Sequence, residues 1–491
     1  MSRYPFESVL VANRGEIAAR ILRSVKESGL RGVIIAHPDD AHGPAMSLAD
    51  EVSWIDGPTP VAAFLDIDQI INAAKVTEAG ALHPGYGFLA ENARFATAVE
   101  KAGIVFIGPR PSSIELMGDK IRARNFVAQL GIPVAPSVIE DDDPGTFVDR
   151  ARELGVPLLI KPSAGGGGKG MHIVRNLRYL DAEIERARSE GQRYFGDGRL
   201  YAERYIECPR HIEVQVLGDE SGNVVHLFER DCSLQRRFQK VIEEAPAPGL
   251  PANIRDRICN AAVDIARAAQ YVNAGTVEFI YGAGQFYFLE MNTRLQVEHP
   301  VTEATTGIDL VAEQIRIAAG EPLSFEQNDV TISGHAIELR IYAEDSSHDF
   351  APTTGPILRL QPPNDSRFDA GVIEGGRVTT AFDPMIGKLI VHGESRAAAL
   401  IKAEDALRRL IVLGLRTNVG YLRRLLTDRE VAAGRIHTGL IQEKFQLTAE
   451  PPLERETVAR LIALAAPHVP DLCREAAAVP ALHRAMGSWR N

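Results

Sequence analysis

The segment from Leu158 to Val174 constrains the fold most, because five of the six residues from 165 to 170 are glycine. Glycine lets backbone amides approach a ligand with no side chain in the way. The apolar runs on both sides predict two strands joined by a flexible hairpin tip. Lysines flank the glycines, a combination that suits polyphosphate; an ordinary surface loop is the alternative. The residues concerned are Lys161, Gly165, Gly166, Gly167, Gly168 and Lys169.

The first 110 residues alternate between short apolar runs and a helical pattern. The runs Ser8–Ala12, Gly32–Ala36 and Gly103–Gly108 predict strands, and apolar residues at helical spacing predict a helix over Gly15–Ser28. Strands and helices in alternation with short links indicate a parallel sheet covered by helices.

Further along the chain the pattern changes twice. A helix is predicted over Asp119–Leu130, and hairpins interleaved with helices follow over residues 156–320. After a boundary near Ser333 and Gly334, residues 336–390 are rich in strands, and a helix over Arg396–Leu413 closes this unit. Thr457–Ala465 has helical spacing within an Ala- and Leu-rich tail.

Composition excludes several classes of protein. The 491 residues suffice for about three domains, and 54 Lys and Arg against 65 Asp and Glu give a net charge of −11. This acidic balance argues against a general nucleic-acid binder. No apolar run predicts a membrane helix, and no signal peptide is evident. The four cysteines form no C-x-x-C pair, so we expect packing cysteines in a reduced, cytoplasmic chain; a zinc site or a catalytic thiol is the alternative.

A second glycine-interrupted apolar run, Gly275–Asn292, predicts a hairpin. A three-residue loop after Gly282 would place Glu278 opposite Glu290, with Asn292 on the same face. Directly opposed carboxylates repel each other by up to about 1 kcal/mol. A magnesium or manganese ion would remove that repulsion, since both prefer oxygen ligands. Two solvated glutamates on an exposed face are the alternative.

Two charged segments lie near this hairpin in sequence. In Thr293–Pro300, Arg294 offers a fork of donors to a small anion such as bicarbonate, and Glu298 can accept a proton. A plain polar loop is the alternative. Glu229–Lys240 carries four cations, which either clamp anions beside a phosphate site or form a solvated face.

These segments and four further motifs resemble the biotin carboxylase component of biotin-dependent carboxylases, in the ATP-grasp superfamily. The resemblance runs from about Ser8 to Leu447. Six motifs in the family's order carry it: Val11-Ala-Asn-Arg-Gly-Glu-Ile17, His83-Pro-Gly-Tyr-Gly-Phe-Leu89, Met117-Gly-Asp-Lys120, the glycine segment, Glu290-Met-Asn-Thr-Arg-Leu-Gln-Val-Glu-His-Pro300 and Asp383-Pro-Met-Ile-Gly-Lys388.

The resemblance implies a multidomain chain of the α/β and α+β classes. An N-terminal domain with a doubly wound parallel sheet would span residues 1–117, and an ATP-grasp domain would span 118–334 with a mobile lid at about 136–203. A mixed α+β domain would follow at 335–447. For the tail at 448–491, a helix that docks a partner and a packed or frayed helix are both open.

The resemblance also implies roles for individual residues. ATP would be bound by Lys120, Lys161, Gly165, Gly166, Gly167, Gly168, Glu203, Ile206, His211 and Gln235. Magnesium or manganese, as two ions, would be held by Glu278, Glu290 and Asn292. Bicarbonate would be positioned by Lys240, Arg294, Gln296 and the backbone of Val297, with Glu298 as the base. Biotin would lie near Arg340, which stabilises the ureido oxyanion, and near Tyr86 and Asp383.

The implied reaction is ATP-dependent carboxylation of biotin by bicarbonate through carboxyphosphate. No Met-Lys-Met biotinylation motif occurs in the 491 residues, so we expect a separate biotin carrier and a separate carboxyltransferase. The resemblance implies a homodimer, with Arg23 and Glu27 of the first helix as candidate contacts; a solvated helix face is the alternative for these two residues. The final acyl or keto-acid acceptor would be chosen by the carboxyltransferase.

Two positions depart from the family pattern. Phe238 stands where bacterial relatives often carry His, and Arg204 stands where Lys is common in the adenine hinge. Phe238 favours one alternative function, a weakened ATP-binding assembly subunit. Another ATP-grasp ligase, acting on an amine, is a second alternative, against which Arg340 and the loop Arg294–Glu298 argue.

Overall fold

The structure, a computed structural model, describes residues 4–140, 143–162, 170–445 and 455–465. Its N-terminal part is a five-stranded parallel sheet in the order β3-β2-β1-β4-β5. The strands are β1 (Ser8–Val11), β2 (Arg31–Ala36), β3 (Glu51–Trp54), β4 (Ala81–His83) and β5 (Val105–Phe106). The helices are α1 (Gly15–Glu27), α2 (Pro44–Leu48), α3 (Pro60–Ala63), α4 (Ile67–Val76), α5 (Ala93–Lys101), α6 (Pro111–Gly118) and α7 (Lys120–Gln129).

Helix α1 shows why the sequence pattern was informative here. Ile17, Ile21, Leu22 and Val25 are all buried against the sheet, as their helical spacing predicts. The predicted helix is therefore confirmed to within one residue. Strand β5 is shorter than predicted, since only its second and third apolar residues pair with β4.

A separate four-stranded antiparallel sheet follows, in the order β6-β9-β7-β8. Its strands are β6 (Ser137–Ile139), β7 (Leu158–Pro162), β8 (His172–Val174) and β9 (Leu200–Arg204), and α8 (Phe147–Glu153) and α9 (Leu180–Phe195) pack against it. Strands β7 and β8 pair antiparallel, so the predicted hairpin is confirmed. Its glycine tip, with Gly165, Gly166, Gly167 and Gly168, lies outside the described residues.

The largest element is an eight-stranded sheet in the order β14-β13-β10-β11-β12-β15-β22-β20. It begins with β10 (Arg210–Gly218), β11 (Val224–Arg236), β12 (Gln239–Ala245), β13 (Asn273–Gly282) and β14 (Gln285–Asn292). Helices α10 (Ala252–Ala268), α11 (His299–Thr306) and α12 (Leu310–Ala318) cover it. The sheet continues past the boundary predicted near residue 334, because β12 pairs with β15. The domain limits themselves stay a prediction.

The C-terminal part completes this sheet and adds small ones. Its strands are β15 (His335–Tyr342), β16 (Glu344–Asp345), β17 (Ala351–Pro352), β18 (Gly355–Pro356), β19 (Arg359–Gln361), β20 (Arg367–Ala370), β21 (Arg377–Val378), β22 (Met385–Gly393) and β23 (Ile411–Leu413). Its helices are α13 (Arg396–Arg409), α14 (Val419–Leu426), α15 (Arg429–Ala432), α16 (Leu440–Lys444) and α17 (Arg455–Ala465). Helix α13 ends four residues before the predicted end, since the chain there enters β23. Within the described residues, no helix combines the length and the apolar character needed to cross a bilayer.

Candidate active site

The hairpin of β13 and β14 brings two acidic residues face to face. Glu278 lies directly opposite Glu290, as predicted, but the route differs from the prediction. Gly282 pairs with Gln285, so the loop has two residues instead of three. A bulge after Glu278 then shifts the register by one residue and restores the facing.

Glu278 is the centre of a dense hydrogen-bond network. Its Oε1 accepts from Asn292 Nδ2 and from Gln296 Nε2, both at 2.7 Å, and its Oε2 lies 2.7 Å from His211 Nε2. Burial alone would raise its pKa, but Lys240 and His211 outweigh burial and hold the pKa well below the usual value. An ionised Glu278 facing Glu290 fits a hard divalent cation. Asn292 can contribute its oxygen after an amide flip, since Nδ2 now faces Glu278.

Lys240 lies among three buried carboxylates. Its Nζ is 2.5 Å from Glu298 Oε1 and 3.2 Å from Glu278 Oε1, and it also donates to Glu213. Burial lowers the pKa of Lys240, but these carboxylates raise it well above the usual value. For Glu213, burial is the dominant effect and raises the pKa to about 7. Lys240 is thus a hydrogen-bond donor to three carboxylates, which belong to two strands and one loop.

Glu298 is the link between this cluster and Arg340. Arg340 Nη2 donates to Glu298 Oε2 at 3.0 Å, and Arg340 Nε donates to Glu243 Oε1 at 2.5 Å. Burial would raise the pKa of Glu298, but Lys240 and Arg340 hold it well below the usual value. Glu298 is therefore an ionised carboxylate with one cation on each oxygen. Only 2% of the residue is exposed.

The loop from Thr293 to Glu298 is held in place by side chains from distant segments. Arg294 Nε donates to Glu91 Oε2 at 2.8 Å, and the Thr293 amide donates to Glu91 Oε1 at 3.1 Å. Lys388 is completely buried and donates to the Val297 carbonyl at 2.6 Å. The sequence analysis did not identify Glu91. Lys388, in contrast, is the last residue of one of the motifs that carry the resemblance.

Arg230 is a second residue that sequence reasoning did not single out. It was one of four cations in a segment interpreted as an anion clamp or a solvated face, yet it is fully buried. Its guanidinium donates to Gln296 Oε1 at 2.6 Å, to Gln215 Oε1 at 2.9 Å and to Thr302 Oγ1 at 3.0 Å. Because Arg230 occupies the oxygen of Gln296, the amide nitrogen of Gln296 is turned toward Glu278.

Two of the described residues predicted for ATP, Lys120 and Lys161, each pair with a carboxylate. Lys120, which begins α7 after the capping residue Asp119, is 3.3 Å from Glu290 Oε2. Lys161 on β7 pairs with Glu203 on β9, and their strands are neighbours. Burial lowers the pKa of Lys161, but Glu203 outweighs burial and raises it above the usual value.

His211 and Gln235 connect the ATP side to the metal ligands. Gln235 Nε2 donates to His211 Nδ1 at 2.6 Å, and His211 Nε2 contacts Glu278. Ile206 packs against the end of β13, where a Cβ on Gly282 would lie 2.7 Å from it. Gly282 therefore leaves room for the segment that contains Ile206.

The three residues predicted for biotin share one electrostatic neighbourhood. Tyr86 donates its hydroxyl hydrogen to Glu16. Burial raises the pKa of Tyr86 well above its usual value, and the charges of Asp383 and Arg340 also act on it. Asp383 is more exposed and lies 3.7 Å from Arg14.

The two departures from the family pattern lie at the surface. Phe238 is 57% exposed and sits in the tight turn between β11 and β12, with a φ of +66°. Arg204 is exposed and donates to the Leu154 carbonyl at 3.0 Å. Neither side chain belongs to the buried cluster around Lys240 and Glu298.

Three family models match consecutive parts of the chain. They are the N-terminal domain of biotin carboxylase at residues 5–114, the ATP-binding domain of the carbamoyl-phosphate synthase L chain at 119–326, and the C-terminal domain of biotin carboxylase at 338–443. Among solved structures, the biotin carboxylase domain dimer of Hydrogenobacter thermophilus 2-oxoglutarate carboxylase, with MgADP, ADP and bicarbonate, has a TM-score of 0.87 at 42% identity. The alignment covers 91% of this chain and 99% of that chain.

Curated relatives agree with this match. A biotin carboxylase of a Nostoc species is 45% identical over 89% of this chain and 99% of the relative, and the biotin carboxylase of Allochromatium vinosum is 47% identical over 87% and 96%. The alpha chain of mouse methylcrotonoyl-CoA carboxylase is 45% identical over 92% of this chain, which spans 64% of that relative. The chain belongs to the biotin carboxylase family.

Proposed function

We propose that this chain carboxylates biotin with bicarbonate at the expense of ATP. One observation carries the proposal: an ionised, buried Glu298 lies between Lys240 and Arg340, beside carboxylates suited to magnesium. The residues proposed as the base, the bicarbonate site and the metal site thus lie in one connected cluster. The Nostoc and Hydrogenobacter relatives support the same chemistry.

ATP would bind between the eight-stranded sheet and the four-stranded sheet that carries β7. Lys120 and Lys161 would exchange their present partners, Glu290 and Glu203, for phosphate oxygens. The glycine tip would cover the phosphates, and closure of such a lid excludes water from a reactive intermediate. Magnesium or manganese, as two ions held by Glu278, Glu290 and Asn292, would neutralise phosphate charge during transfer.

Bicarbonate would lie against the loop that ends at Glu298. Arg294 and Lys240 would hold its negative charge, with Gln296 and the Val297 backbone completing its orientation. The proton of bicarbonate would pass to Glu298, and the resulting oxyanion would attack the γ-phosphorus, releasing ADP and forming carboxyphosphate. With both present cations, Glu298 is a weak base; an anion that shares them would raise its pKa and strengthen it.

Biotin would then react at the Arg340 end of the cluster. Carboxyphosphate would break down to carbon dioxide and phosphate, and the phosphate would take the proton from the biotin ureido nitrogen. Arg340 would stabilise the ureido oxyanion, because its guanidinium is already fixed by Glu243 and Glu298. Tyr86 and Asp383 would border the biotin ring.

The partners follow from the same proposal. Biotin would be carried by a protein outside these 491 residues, and a separate carboxyltransferase would select the final acceptor. We propose a homodimer in which α1 contributes Glu27 and Arg23, although Arg23 also pairs with Asp369 of its own chain at 3.0 Å. We propose a reducing, cytoplasmic compartment, since Cys208, Cys232 and Cys259 are free thiols.

The deciding experiment is ATP hydrolysis by the purified chain with magnesium, with and without bicarbonate, and then with free biotin. We expect a rate that depends on bicarbonate and rises when biotin is added. A rate that needs an amine instead would indicate another ATP-grasp ligase. ATP binding with no response to bicarbonate or biotin would favour the weakened assembly subunit that Phe238 suggests.

A further inference from the structure

Three side chains of types that bind metal ions meet outside the active-site cluster. Cys208 lies in the connection between β9 and β10, and His437 and Glu443 lie near the end of the described range 170–445. The Cys208 sulfur, a ring nitrogen of His437 and a carboxylate oxygen of Glu443 all lie within 4.8 Å of one another. We call this set the Cys208 cluster. The sequence analysis mentioned a zinc site only as a general alternative for the cysteines and did not identify these three residues.

The backbone holds the two segments of the cluster together. The amide of Thr438, next to His437, donates to the carbonyl of Pro209, next to Cys208, at 2.9 Å. Glu443 belongs to α16, and its amide donates to the carbonyl of Gly439 at 3.0 Å. The three ligands are thus placed by a direct main-chain contact and by one helical turn, although Cys208 is more than two hundred residues from the other two.

The space between the ligands is kept open by Gly439. A Cβ on this residue would lie 2.7 Å from Glu443 Oε1 and 3.3 Å from His437 Nδ1. His437 Nδ1 is itself buried and has no hydrogen-bond partner among the described residues. A buried polar atom without a partner is costly, and no hydrogen bond within the described residues holds the imidazole away from a bound ion. The His437 Nε2 atom is 3.6 Å from Glu443 Oε2.

We propose that Cys208, His437 and Glu443 bind one zinc ion. A thiolate, an imidazole and a carboxylate are the ligand types that zinc prefers, and three protein ligands leave a fourth position for water. Magnesium and calcium prefer oxygen ligands alone, which the active-site carboxylates offer and this cluster does not. Zinc bond lengths imply ligand atoms about 3.3–3.8 Å apart. The side chains therefore need to close by only about 1 Å.

The ion would connect two parts of the protein. Cys208 is two residues after Ile206, and α16 packs against β11. A zinc ion here would cross-link the β9–β10 connection to the C-terminal helices. This inference does not depend on the proposed reaction, since the cluster contains none of the residues proposed for ATP, bicarbonate or biotin.

The test uses the full chain, stripped of metal with a chelator, and cobalt as a spectroscopic substitute for zinc. We expect one equivalent of cobalt to give thiolate charge-transfer absorption, and zinc to displace it. Cys208→Ser should abolish this absorption, and His437→Gln and Glu443→Gln should weaken cobalt binding by about 10-fold or more. Zinc should also raise the melting temperature of the native chain but not of Cys208→Ser.

Two matched variants separate the Cys208 cluster from other thiols. Cys232→Ala removes a buried thiol near Glu213 and Glu298, and Cys473→Ser removes the thiol of the tail. Both variants should retain the charge-transfer absorption. The proposal is wrong if stoichiometric cobalt gives no such absorption, or if the absorption survives in Cys208→Ser.

Discussion

The parallel sheet and the eight-stranded sheet bury very different interiors. Val9, Leu10 and Val11 of the parallel sheet are apolar and wholly buried. The eight-stranded sheet buries Arg230 and Lys388 just as completely, together with the acids that surround them. Burying an ion costs several kcal/mol even when it is paired. The interior of the parallel sheet is therefore stabilised by apolar packing. The interior of the eight-stranded sheet instead holds charges in fixed positions, at a cost in stability.

One pair of buried carboxyl groups in the eight-stranded sheet illustrates the cost of burying charge. Glu243 and Glu338 lie opposite each other on β12 and β15, and both are fully buried. Neither oxygen of Glu338 has a hydrogen-bond partner among the described residues. Burial raises the pKa of Glu338 well above its usual value, and Lys388 only partly opposes burial. Burial thus favours the protonated, neutral form of Glu338, beside an Arg340 that Glu243 holds.

The variant with the largest expected effect tests whether the buried charges of the eight-stranded sheet take part in catalysis. Glu298→Gln keeps the shape of the side chain but removes the base. We expect bicarbonate-dependent ATP cleavage, measured as ADP release, to fall by about 10²–10⁴-fold. Binding of ATP should persist, and the exposed Glu394→Gln should behave as the native chain. Normal turnover in Glu298→Gln would show that the cluster is structural and that the base lies elsewhere.

A second variant separates the two ends of the cluster. Arg340→Ala should lower biotin carboxylation by about 10²–10³-fold, because a preorganised donor to the oxyanion is lost. Bicarbonate-dependent ATP cleavage should fall less, since Lys240 still contacts Glu298. The ratio of the two rates is the measurement, and Arg408→Ala, at an exposed arginine, is the control. Equal loss of both rates would mean that Arg340 acts on the first step instead.

The stability of the charged sheet can be tested at Arg230, a buried cation that is not itself proposed to contact a substrate. Arg230→Met leaves Glu213 and Gln296 without their buried cation, so we expect the free energy of unfolding to fall by about 3–5 kcal/mol. Urea titration measures this loss, and Arg267→Met, at an exposed arginine, should change stability by less than about 0.5 kcal/mol. A loss below about 1 kcal/mol for Arg230→Met would contradict the view that these charges are mutually required.

The same contrast explains how far the sequence could be interpreted. Helix α1 and the first strands followed from apolar periodicity, because their burial depends on local spacing. The facing of Glu278 and Glu290 was predicted correctly from a wrong loop length, since a bulge compensated for the error. A bulge leaves no simple mark in the apolar pattern.

Partners supplied by distant segments could not be predicted in this way. Glu91 meets Arg294 across 203 residues, and Arg230 meets Gln296 across 66. Nothing in the local sequence distinguishes a cation that will be buried and paired from one that will be solvated. The site roles that the resemblance implies stay predictions, whereas the side chains that hold those residues in position became visible only in the structure.

The smallest expected effect comes from the one titratable side chain at the end of β4 in the parallel sheet. His83 is fully buried; its Nδ1 accepts from the Gly85 amide at 3.0 Å, and its Nε2 lies 3.2 Å from Gln314 Oε1. Burial lowers its pKa from 6.5 to about 4, so folding holds it neutral where the unfolded chain would bind a proton. Stability from this residue is therefore complete above about pH 6.5 and is lost as the pH falls toward 4.

The shift corresponds to about 3 kcal/mol over that interval. His83→Gln cannot bind the proton, so its free energy of unfolding should fall less than that of the native chain between pH 6.5 and 4. Urea titrations at several pH values measure the difference, and His42→Gln, at an exposed histidine, should follow the native chain. Parallel curves for the native chain and His83→Gln would show that His83 is charged when folded. The parallel sheet would then tolerate a buried ion, and the contrast between the two sheets would fail.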